Sequence, residues 1–449
     1  MNKQLLFIAT CIITPGLALA QWNTVASMST SRAGHAMTAY GEGHVLAAGG
    51  WDYTTNLKSA EYYDASSNSW TSTPDMASEH YNGAAVTLNS GKVLVIAGFT
   101  GAFNTEACDL YDPTMNMWAA TGELTQGRSY FTATKLQNGK VLVVGGFDGT
   151  NNLSSCELYD PTTEEWTTIA SLTTGRSYHT ATLLSSGQVL IAGGFNPNAG
   201  FQLNSTELFD PTNDTWSPGP NMSIGRDFHA ASILANGKVL VTGGRYFNGS
   251  INFAYNGLTD TELYDPTTNS WSAASALPVG LSYHQQVTLG DGNVLVIAGV
   301  DSSNYSTGSG FTTFASSTYL YHSTMDMWVA ASMNHDSRYE HAAVVMSDGN
   351  ALVTGGFDAS SEIYGTIAGI EIATTKPVMN MYPNPGKGLI RLDLEKADQT
   401  IRVFDSMGKL VNIPMEKTAN GFILQTAGIQ AGCYIVLAGS EKQTLVVLN

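Results

Sequence analysis

The 449-residue chain has few charged residues, and basic residues are the scarcest among them. Lysine and arginine together number 20 against 37 aspartates and glutamates, which leaves a formal net charge of −17 at pH 7. So acidic a surface repels the phosphates of nucleic acids and of anionic lipids, and we expect neither as a partner. The charge is of the kind that keeps an extracellular protein in solution.

Cysteine is also rare, with four in the chain. Cys433 stands alone near the C-terminus, while Cys108 and Cys156 lie at the same place in neighbouring copies of a repeat. Equivalent positions of stacked sheets are about 10 Å apart, too far for a disulfide. We therefore expect no disulfide, and we expect Cys108 and Cys156 to be small buried side chains.

Long apolar segments are confined to the N-terminus. Residues 1–20 combine Lys3, a short apolar run and a small-residue cleavage site at Ala18-Leu19-Ala20, which predicts a secretory signal peptide. No later segment is long enough to cross a bilayer, so we expect no transmembrane segment after signal cleavage. The sequence also lacks the G-x-S-x-G, H-E-x-x-H and P-loop motifs and the sialidase boxes of known enzyme classes.

A repeat of about 50 residues fills most of the chain. In the copy at residues 127–166, an Asn138-Gly139 turn and an apolar run at 141–144 predict two antiparallel strands, the second covered on both faces. A third strand at 156–159 and a fourth beginning at Trp166 complete one sheet. The double-glycine position after the second strand recurs seven times: Gly49, Ala97, Gly145, Gly193, Gly243, Ala298 and Gly355.

The seventh copy lacks the tryptophan that opens the fourth strand in the other six. Trp22 lies 48 residues before Trp70, and the residues after it resemble those after Trp166. We therefore expect the N-terminal strand to complete the last sheet and to remove two exposed sheet edges. The predicted fold is all-β, a seven-bladed β-propeller closed by its N-terminal strand.

The repeats stop near residue 372, and short alternating strands follow at 389–394, 401–405, 422–425 and 434–437. Glycine and asparagine turns separate them, which predicts a small Ig-like β-sandwich. The expected organisation is a signal peptide at 1–20, the propeller at 21–372, a linker at 373–379 and a C-terminal domain at 380–449.

Two parts of the chain resemble known families. The double glycine, the Tyr-Asp motif and the closing tryptophan over residues 21–372 resemble the kelch repeats of β-propellers. The C-terminal domain is similar to the sorting domain of the type IX secretion system of Bacteroidetes, through Tyr382, Pro383, Asn384, Pro385, Gly408, Gly432 and Tyr434. That resemblance implies the type IX machinery as a partner and a place in the medium or on the outer-membrane surface. In that family the domain is usually cleaved on export.

The loops between second and third strands should share one face with the connections between sheets. They lengthen in copies four to six and carry aromatic and asparagine residues, as a binding surface on a scaffold does. Such rings and amides suit an extracellular glycan or protein; alternatively, they merely cap the longer sheets. The candidate ligand-binding residues are Phe195, Phe201, Arg245, Tyr246, Phe247, Phe253, Tyr255, Tyr305, Phe311 and Phe314.

One position carries histidine in five of the seven copies, three residues after a recurrent arginine: His35, His179, His229, His284 and His341. A catalytic or metal site is normally unique, so we expect these side chains to satisfy backbone groups between sheets, although a ring of imidazoles could take a metal. Tyr178-His179 and Tyr283-His284 resemble the copper-ligand pair of galactose-oxidase-like propellers. That family also needs a cysteine linked to a tyrosine, for which Cys108 and Cys156 are poorly placed.

The favoured hypothesis is a secreted or surface-attached propeller that binds glycan or protein through its long-loop face. It needs no cofactor. The alternative is a carbohydrate-active enzyme at the same face, hydrolytic or resembling a copper-radical oxidase, and copper is the one metal this alternative would bring. A surface module with a purely structural role is the third hypothesis.

Overall fold

The structure, a computed structural model, describes residues 21–247, 255–301, 315–331, 337–356, 358–365, 379–382, 389–394, 401–404, 409–418, 421–430, 432–438 and 441–447. Nearly all regular structure in these residues is antiparallel β-sheet, with a short 3-10 helix at Pro197–Ala199. The predicted all-β fold is confirmed. In the part of the chain just given, no helix has the length and apolar character needed to cross a membrane.

Seven four-stranded sheets, here called blades, lie in the described residues between 21 and 365. Inner strands of successive blades contact each other, and the inner strand of blade 7 contacts that of blade 1, so the blades form a closed ring. The strands, from inner to outer, are as follows: blade 1, Ala36–Tyr40, His44–Ala48, Ala60–Asp64 and Ser69–Ser72; blade 2, Ala84–Thr87, Val93–Phe99, Asn104–Asp112 and Met117–Ala120; blade 3, Thr132–Lys135, Val141–Val144, Cys156–Asp160 and Glu165–Ile169; blade 4, Thr180–Leu183, Val189–Ala192, Thr206–Asp210 and Thr215–Pro218; blade 5, Ala230–Ile233, Val239–Thr242, Thr261–Asp265 and Ser270–Ala273; blade 6, Gln285–Thr288, Val294–Ile297, Thr318–His322 and Met327–Ala330; blade 7, Ala342–Val345, Ala351–Thr354, Ser361–Gly365 and Gln21–Val25.

Blade 7 is completed by the N-terminal strand, as the sequence predicts. Trp22 pairs with Tyr364 in the antiparallel ladder, and their rings meet edge to face at 5.3 Å. The indole Nε1 of Trp22 donates to the carbonyl of Ala331 at 3.2 Å, and the side chain is 5% exposed. Backbone pairing, the ring contact between Trp22 and Tyr364 and one side-chain hydrogen bond therefore join the two ends of the propeller.

The second strand of each blade is buried on both faces, as the run at Val141–Val144 predicts. Val141 and Val143 pack against the preceding blade, while Leu142 and Val144 pack against the following one. The double glycine ends this strand where another blade's backbone approaches: a Cβ on Gly145 would lie 2.5 Å from the carbonyl oxygen of Arg176. Blade-to-blade packing therefore fixes where the strand stops.

The recurrent arginines are buried and bond to groups of their own blade. Arg128 donates to the carbonyl of Gly145 at 2.9 Å and to the carboxylate of Glu157 at 2.7 Å, and both side chains are buried. These bonds satisfy backbone groups, as expected for this position. The corresponding ion pairs are Arg32–Glu61, Arg176–Glu207, Arg226–Glu262 and Arg338–Glu362, and His80–Asp109 takes their place in blade 2.

Two further four-stranded sheets lie in the C-terminal part of the chain. They share one core, to which Ile390, Leu424, Val403 and Val436 contribute. The strands of the first, in sheet order, are Met379–Tyr382, Leu389–Leu394, Gly421–Gln425 and Met415–Thr418; those of the second are Leu410–Val411, Ile401–Phe404, Gly432–Ala438 and Glu441–Val447. The Ig-like character and the predicted domain boundaries stay predictions.

Candidate functional site at the mouth of the central channel

One face of the propeller carries both the connections between blades and the loops after the second strands. A connection pairs with the start of the loop of the same blade, as between Ala33 and Trp51, Tyr81 and Phe99, and Ser177 and Phe195. Short two-stranded extensions rise from this face in blades 4 and 5, at Phe195–Asn196 with Phe201–Gln202 and at Arg245–Phe247 with Tyr255–Gly257.

Seven equivalent residues surround the mouth of the central channel, one from each blade. Each lies directly before the inner strand region and has a left-handed backbone, with φ between 50° and 58°. Only glycine adopts this conformation without a steric cost, and asparagine is favoured among the rest. We call this set the mouth ring: Gly34, Asn82, Tyr130, Tyr178, Phe228, Tyr283 and Glu340.

A circle of backbone hydrogen bonds explains the left-handed conformation. The amides of six of the seven residues donate to the carbonyl of the equivalent residue in the preceding blade, at 2.8 to 3.3 Å. The link from Gly34 to Glu340 joins the first blade to the last at 2.8 Å. Backbone pairing around the axis thus offsets the strain of six side chains held at positive φ.

Four mouth-ring residues form a continuous stack of aromatic rings. The centroids of Tyr130 and Tyr178 are 4.4 Å apart, those of Tyr178 and Phe228 are 3.9 Å apart, and those of Phe228 and Tyr283 are 3.7 Å apart. Each of these residues is only half-buried. The stack is therefore partly exposed at the channel mouth, along the edges of its rings.

Arg245, one of the predicted ligand-binding residues, fixes one side of this stack. Its guanidinium lies 4.2 Å from the ring centroid of Phe228, and its Nε and Nη2 each donate to the carboxylate of Asp227 at 3.0 Å. The charge is thus shared with a buried carboxylate and with an aromatic face, and the side chain is 17% exposed. Arg245 supports the aromatic surface from the blade 5 loop.

The opposite side of the mouth is polar. The Asn82 amide donates to the hydroxyl of Tyr130 at 3.0 Å, and the hydroxyl of Tyr81 donates to the carboxylate of Glu340 at 3.0 Å. Burial raises the pKa of Glu340, and the hydrogen bonds from tyrosine hydroxyls partly offset this rise. Burial also raises the pKa of Tyr130 and Tyr178, so their hydroxyls stay protonated donors at neutral pH. The cavity at the mouth has a volume of about 430 Å³.

The five recurrent histidines lie directly below the mouth ring and are buried. The Nε2 atoms of four of them lie 2.8 to 3.0 Å from a threonine hydroxyl of the preceding blade, as between His179 and Thr132. In these four contacts the partner is a side chain, and the expected role in satisfying backbone groups stays a prediction. Burial and the nearby Arg176 lower the pKa of His179 to about 3, so this imidazole is neutral.

These side chains do not fit a copper-radical centre. His179 and His284 each direct Nε2 at a threonine, and Tyr178 and Tyr283 both stack on Phe228. The thiols of Cys108 and Cys156 are free and lie in the cores between blades, where burial raises the pKa of each to about 12. Across the described ranges, no group of three or more His, Cys, Asp or Glu residues has the arrangement of a metal site.

Family models match both parts of the chain. A model described as "KLHDC2/KLHL20/DRC7 Kelch-repeats domain" matches residues 114–299, and a kelch motif model matches residues 31–77. A model of the secretion system C-terminal sorting domain matches residues 380–447. The chain contains kelch repeats and a C-terminal sorting domain. The sorting domain marks it for export by the type IX secretion system, to the medium or to the outer-membrane surface.

Solved structures show the same propeller fold. A fungal alcohol oxidase of the AA5 family, in complex with copper, is 13% identical, with a TM-score of 0.62 over 96% of this chain and 100% of that one. The protein called YjhT is 15% identical, with a TM-score of 0.51 over 68% of this chain and 98% of that one. At these identities the likeness concerns the fold alone. No curated protein matches the kelch chain.

The candidate ligand residues predicted from the loops are only partly described. Phe201 and Tyr246 are 46% and 40% exposed, and Phe195 lies 6.2 Å from Phe201 between ring centroids. Arg245 contacts the mouth ring through Phe228. The backbone of Phe247 and Tyr255 lies in the blade 5 extension, but their side chains fall outside the described residues, as do Phe253, Tyr305, Phe311 and Phe314 entirely. Their part in binding stays a prediction.

The sorting-domain residues are likewise partly described. Tyr434 is buried, and its hydroxyl donates to the carbonyl of Gln430 at 2.6 Å. Gly432 begins the strand Gly432–Ala438, and Tyr382 ends the strand Met379–Tyr382. Pro383, Asn384, Pro385 and Gly408 lie outside the described residues.

The sequence prediction missed the mouth ring as a unit. The sequence pattern relates Tyr178 and Tyr283 only to copper ligands, and it predicts no role for Asn82, Phe228 or Glu340. The signal was present, because each of these residues precedes the recurrent histidine position by one in the aligned kelch repeats. Reading that column across the repeats identifies the mouth.

Proposed function

We propose that the secreted propeller is a carbohydrate-binding protein that holds a neutral sugar at the mouth of its central channel. The observation that carries the proposal is the continuous aromatic stack opposite a polar arc. A pyranose has an apolar face of C–H groups and a rim of hydroxyls, so it can lie against the exposed edges of the stack while its hydroxyls reach Asn82 and Glu340.

Size and charge support a neutral sugar. The mouth cavity of about 430 Å³ falls in the range of small-molecule sites. The tyrosine hydroxyls, the Asn82 amide and the Glu340 carboxyl offer both donors and acceptors. A net charge of −17 disfavours uronic or sulfated ligands, and the guanidinium of Arg245 is already paired with Asp227. Export by the type IX system places the site where extracellular glycans occur.

The test replaces the central ring of the stack without disturbing the backbone. Phe228→Asn suits the left-handed conformation, which asparagine already adopts at position 82 of the mouth ring. The control is Tyr62→Ala, which removes a half-buried ring from a third strand in blade 1, away from the mouth.

The purified protein is first screened on a glycan array, and hits are then titrated by calorimetry. We expect Phe228→Asn to weaken capture at least tenfold with a nearly unchanged melting temperature, and Tyr62→Ala to bind as the wild type does. Wild-type protein that captures no saccharide, or a Phe228→Asn variant that binds normally, would contradict the proposal. Measuring copper content and peroxide release on the same sugars tests the enzymatic alternative.

A further inference from the structure

We infer that the mouth site is one end of a longer carbohydrate-binding groove, whose second subsite is the cavity between the loops of blades 1 and 2. This inference rests on the proposed function. The cavity has a volume of about 500 Å³ and opens on the same face as the mouth. Its lining includes Trp51, Asn56, Glu79, Tyr81, Phe99 and Thr100.

The cavity borders a repeat position that is glutamate in blade 2 and glycine in blades 3 to 6. At the residue before the recurrent arginine, blades 3 and 4 have Gly127 and Gly175. A Cβ there would lie 2.0 Å from the carbonyl oxygen of Asn104 and 2.2 Å from that of Asn152, so the loop of the preceding blade packs directly on the glycine. Blade 2 has Glu79 instead, whose side chain cannot fit such a contact. The loop of blade 1 must therefore stand away from blade 2.

Two observations agree with this displacement. In blades 4 and 5, the amides of Arg176 and Arg226 donate to leucine carbonyls of the preceding loop at 3.0 and 3.1 Å. In the described residues, the equivalent bond from His80 to Leu57 is not formed. Leu57 is also only half-buried, whereas its equivalent Leu153 is 7% exposed. The junction between blades 1 and 2 is thus more open than the junctions before blades 4 and 5.

The opening leaves a polar group available for a ligand. In blade 3, the equivalent asparagine, Asn152, accepts a hydrogen bond from the hydroxyl of Ser177 at 2.6 Å. Opposite Asn56, the position of Ser177 is taken by Tyr81, whose hydroxyl is bonded to Glu340 instead. Within the described ranges, the Asn56 side-chain amide has no hydrogen-bond partner, and it lines the cavity. It can both donate to and accept from sugar hydroxyls.

Aromatic surface completes the subsite. Trp51 is half-buried, with its ring centroid 4.7 Å from that of Tyr53 and 6.4 Å from that of Tyr81. Phe99 lies on the opposite side of the cavity, on the second strand of blade 2. The subsite therefore repeats the chemistry of the mouth, with aromatic rings beside short polar side chains.

Tyr81 connects the two sites, because it lines the second cavity and bonds to a residue of the mouth. Its ring fills the space that the missing side chain of Gly34 leaves in the mouth ring, since a Cβ on Gly34 would lie 2.5 Å from Cε2 of Tyr81. Its hydroxyl reaches Glu340 at the mouth, while the same residue lines the second cavity. A ligand that fills both must extend past Tyr81. The two adjacent sites thus fit a neutral oligosaccharide of at least two units.

The test uses full-length protein and neutral cello-, manno-, xylo- and N-acetylchito-oligosaccharides of one to six units, titrated by calorimetry. Wild-type protein should bind the oligosaccharide of its preferred series at least tenfold more tightly than the monosaccharide. Trp51→Ala and Asn56→Ala should lower oligosaccharide affinity toward the monosaccharide level and leave monosaccharide affinity unchanged. The Asn56 side chain makes no hydrogen bond within the described residues, so Asn56→Ala should fold normally. It therefore tests the subsite even if Trp51→Ala folds poorly.

The matched control is Asn152→Ala, which removes the equivalent asparagine from blade 3. Because Asn152 holds Ser177, this variant should lower the melting temperature and leave oligosaccharide affinity unchanged. Equal affinities for one and several units, or normal binding by both cavity variants, would overturn the second subsite alone. Oligosaccharide binding that depends on Trp51 but not on Phe228 would overturn the mouth proposal, and with it the continuous groove. No saccharide binding by the wild type would overturn both.

Discussion

Trp22→Ala tests whether the propeller depends on its N-terminal strand. The indole is 5% exposed, and burying about 200 Å² of a tryptophan contributes about 5 kcal/mol at about 25 cal/mol per Å², which is an upper bound. Large-to-small core substitutions of this type cost about 3–5 kcal/mol. That range includes the loss of the hydrogen bond from Trp22 to the carbonyl of Ala331. We therefore expect the free energy of unfolding to fall by about 3–5 kcal/mol.

Urea denaturation followed by far-UV circular dichroism measures the loss, and hydrogen exchange locates it. The amides of Gln21–Val25 should lose protection in Trp22→Ala, since the strand is tied to blade 7 by one ladder. Thr24→Ala, an exposed position on the same strand, should change neither quantity. Trp328→Ala removes an indole of equal exposure in mid-chain, and it should destabilise the protein while the N-terminal amides stay protected. A Trp22→Ala variant with a wild-type midpoint and a protected strand would refute the closure argument.

Three further predictions follow from buried polar groups. Arg128→Met leaves the buried Glu157 carboxylate without its partner and should lower the free energy of unfolding by about 3–5 kcal/mol in denaturation experiments. A double variant that also carries Glu157→Leu should recover most of this loss. A double variant as unstable as Arg128→Met alone would contradict the prediction. The pKa of His179 is about 3 in the folded protein and about 6.5 when unfolded, so the unfolded chain binds the proton first and stability declines as pH falls from 6.5 toward 3. His179→Gln should flatten that decline in pH-dependent denaturation, and an unchanged slope would count against burial as its cause. Tyr434→Ala should reduce the exported fraction on immunoblots of cells and medium, with Tyr434→Phe near wild type; normal export of the alanine variant would show that this core contact is dispensable.

The blade architecture could be predicted because its determinants are local and repeated. The apolar run at Val141–Val144 and the Asn138-Gly139 turn define a hairpin without reference to the rest of the chain. Trp22 could be assigned to blade 7 because the missing fourth strand left one place for it. The strand Leu389–Leu394 in the sorting domain was predicted with the observed bounds for the same reason, a short alternating pattern between turns.

The candidate site could not be predicted in the same way, because it depends on closure. Tyr130 and Phe228 are 98 positions apart, and only the curvature of the ring brings them into one stack through Tyr178. The left-handed backbone of the mouth-ring tyrosines also could not be predicted from the residue type. Hydrogen bonds from neighbouring blades maintain that conformation. The second cavity is lined by Glu79, at a repeat position where blades 3 and 4 have a glycine that packs on the preceding loop, and this difference in packing is visible only in the folded protein.

The hydrogen bonds around the channel join backbone atoms, so they hold the blades together without the side chains of the mouth ring. Glycine, asparagine, tyrosine, phenylalanine and glutamate all occupy the same left-handed place in this circle of bonds, so the circle does not depend on which side chain is present. Each blade therefore places one residue at an equivalent point around the axis. Outside blade 1, where the ring of Tyr81 fills the space beside Gly34, single substitutions at these positions would change the surface of the mouth while the cores between blades stay unaltered.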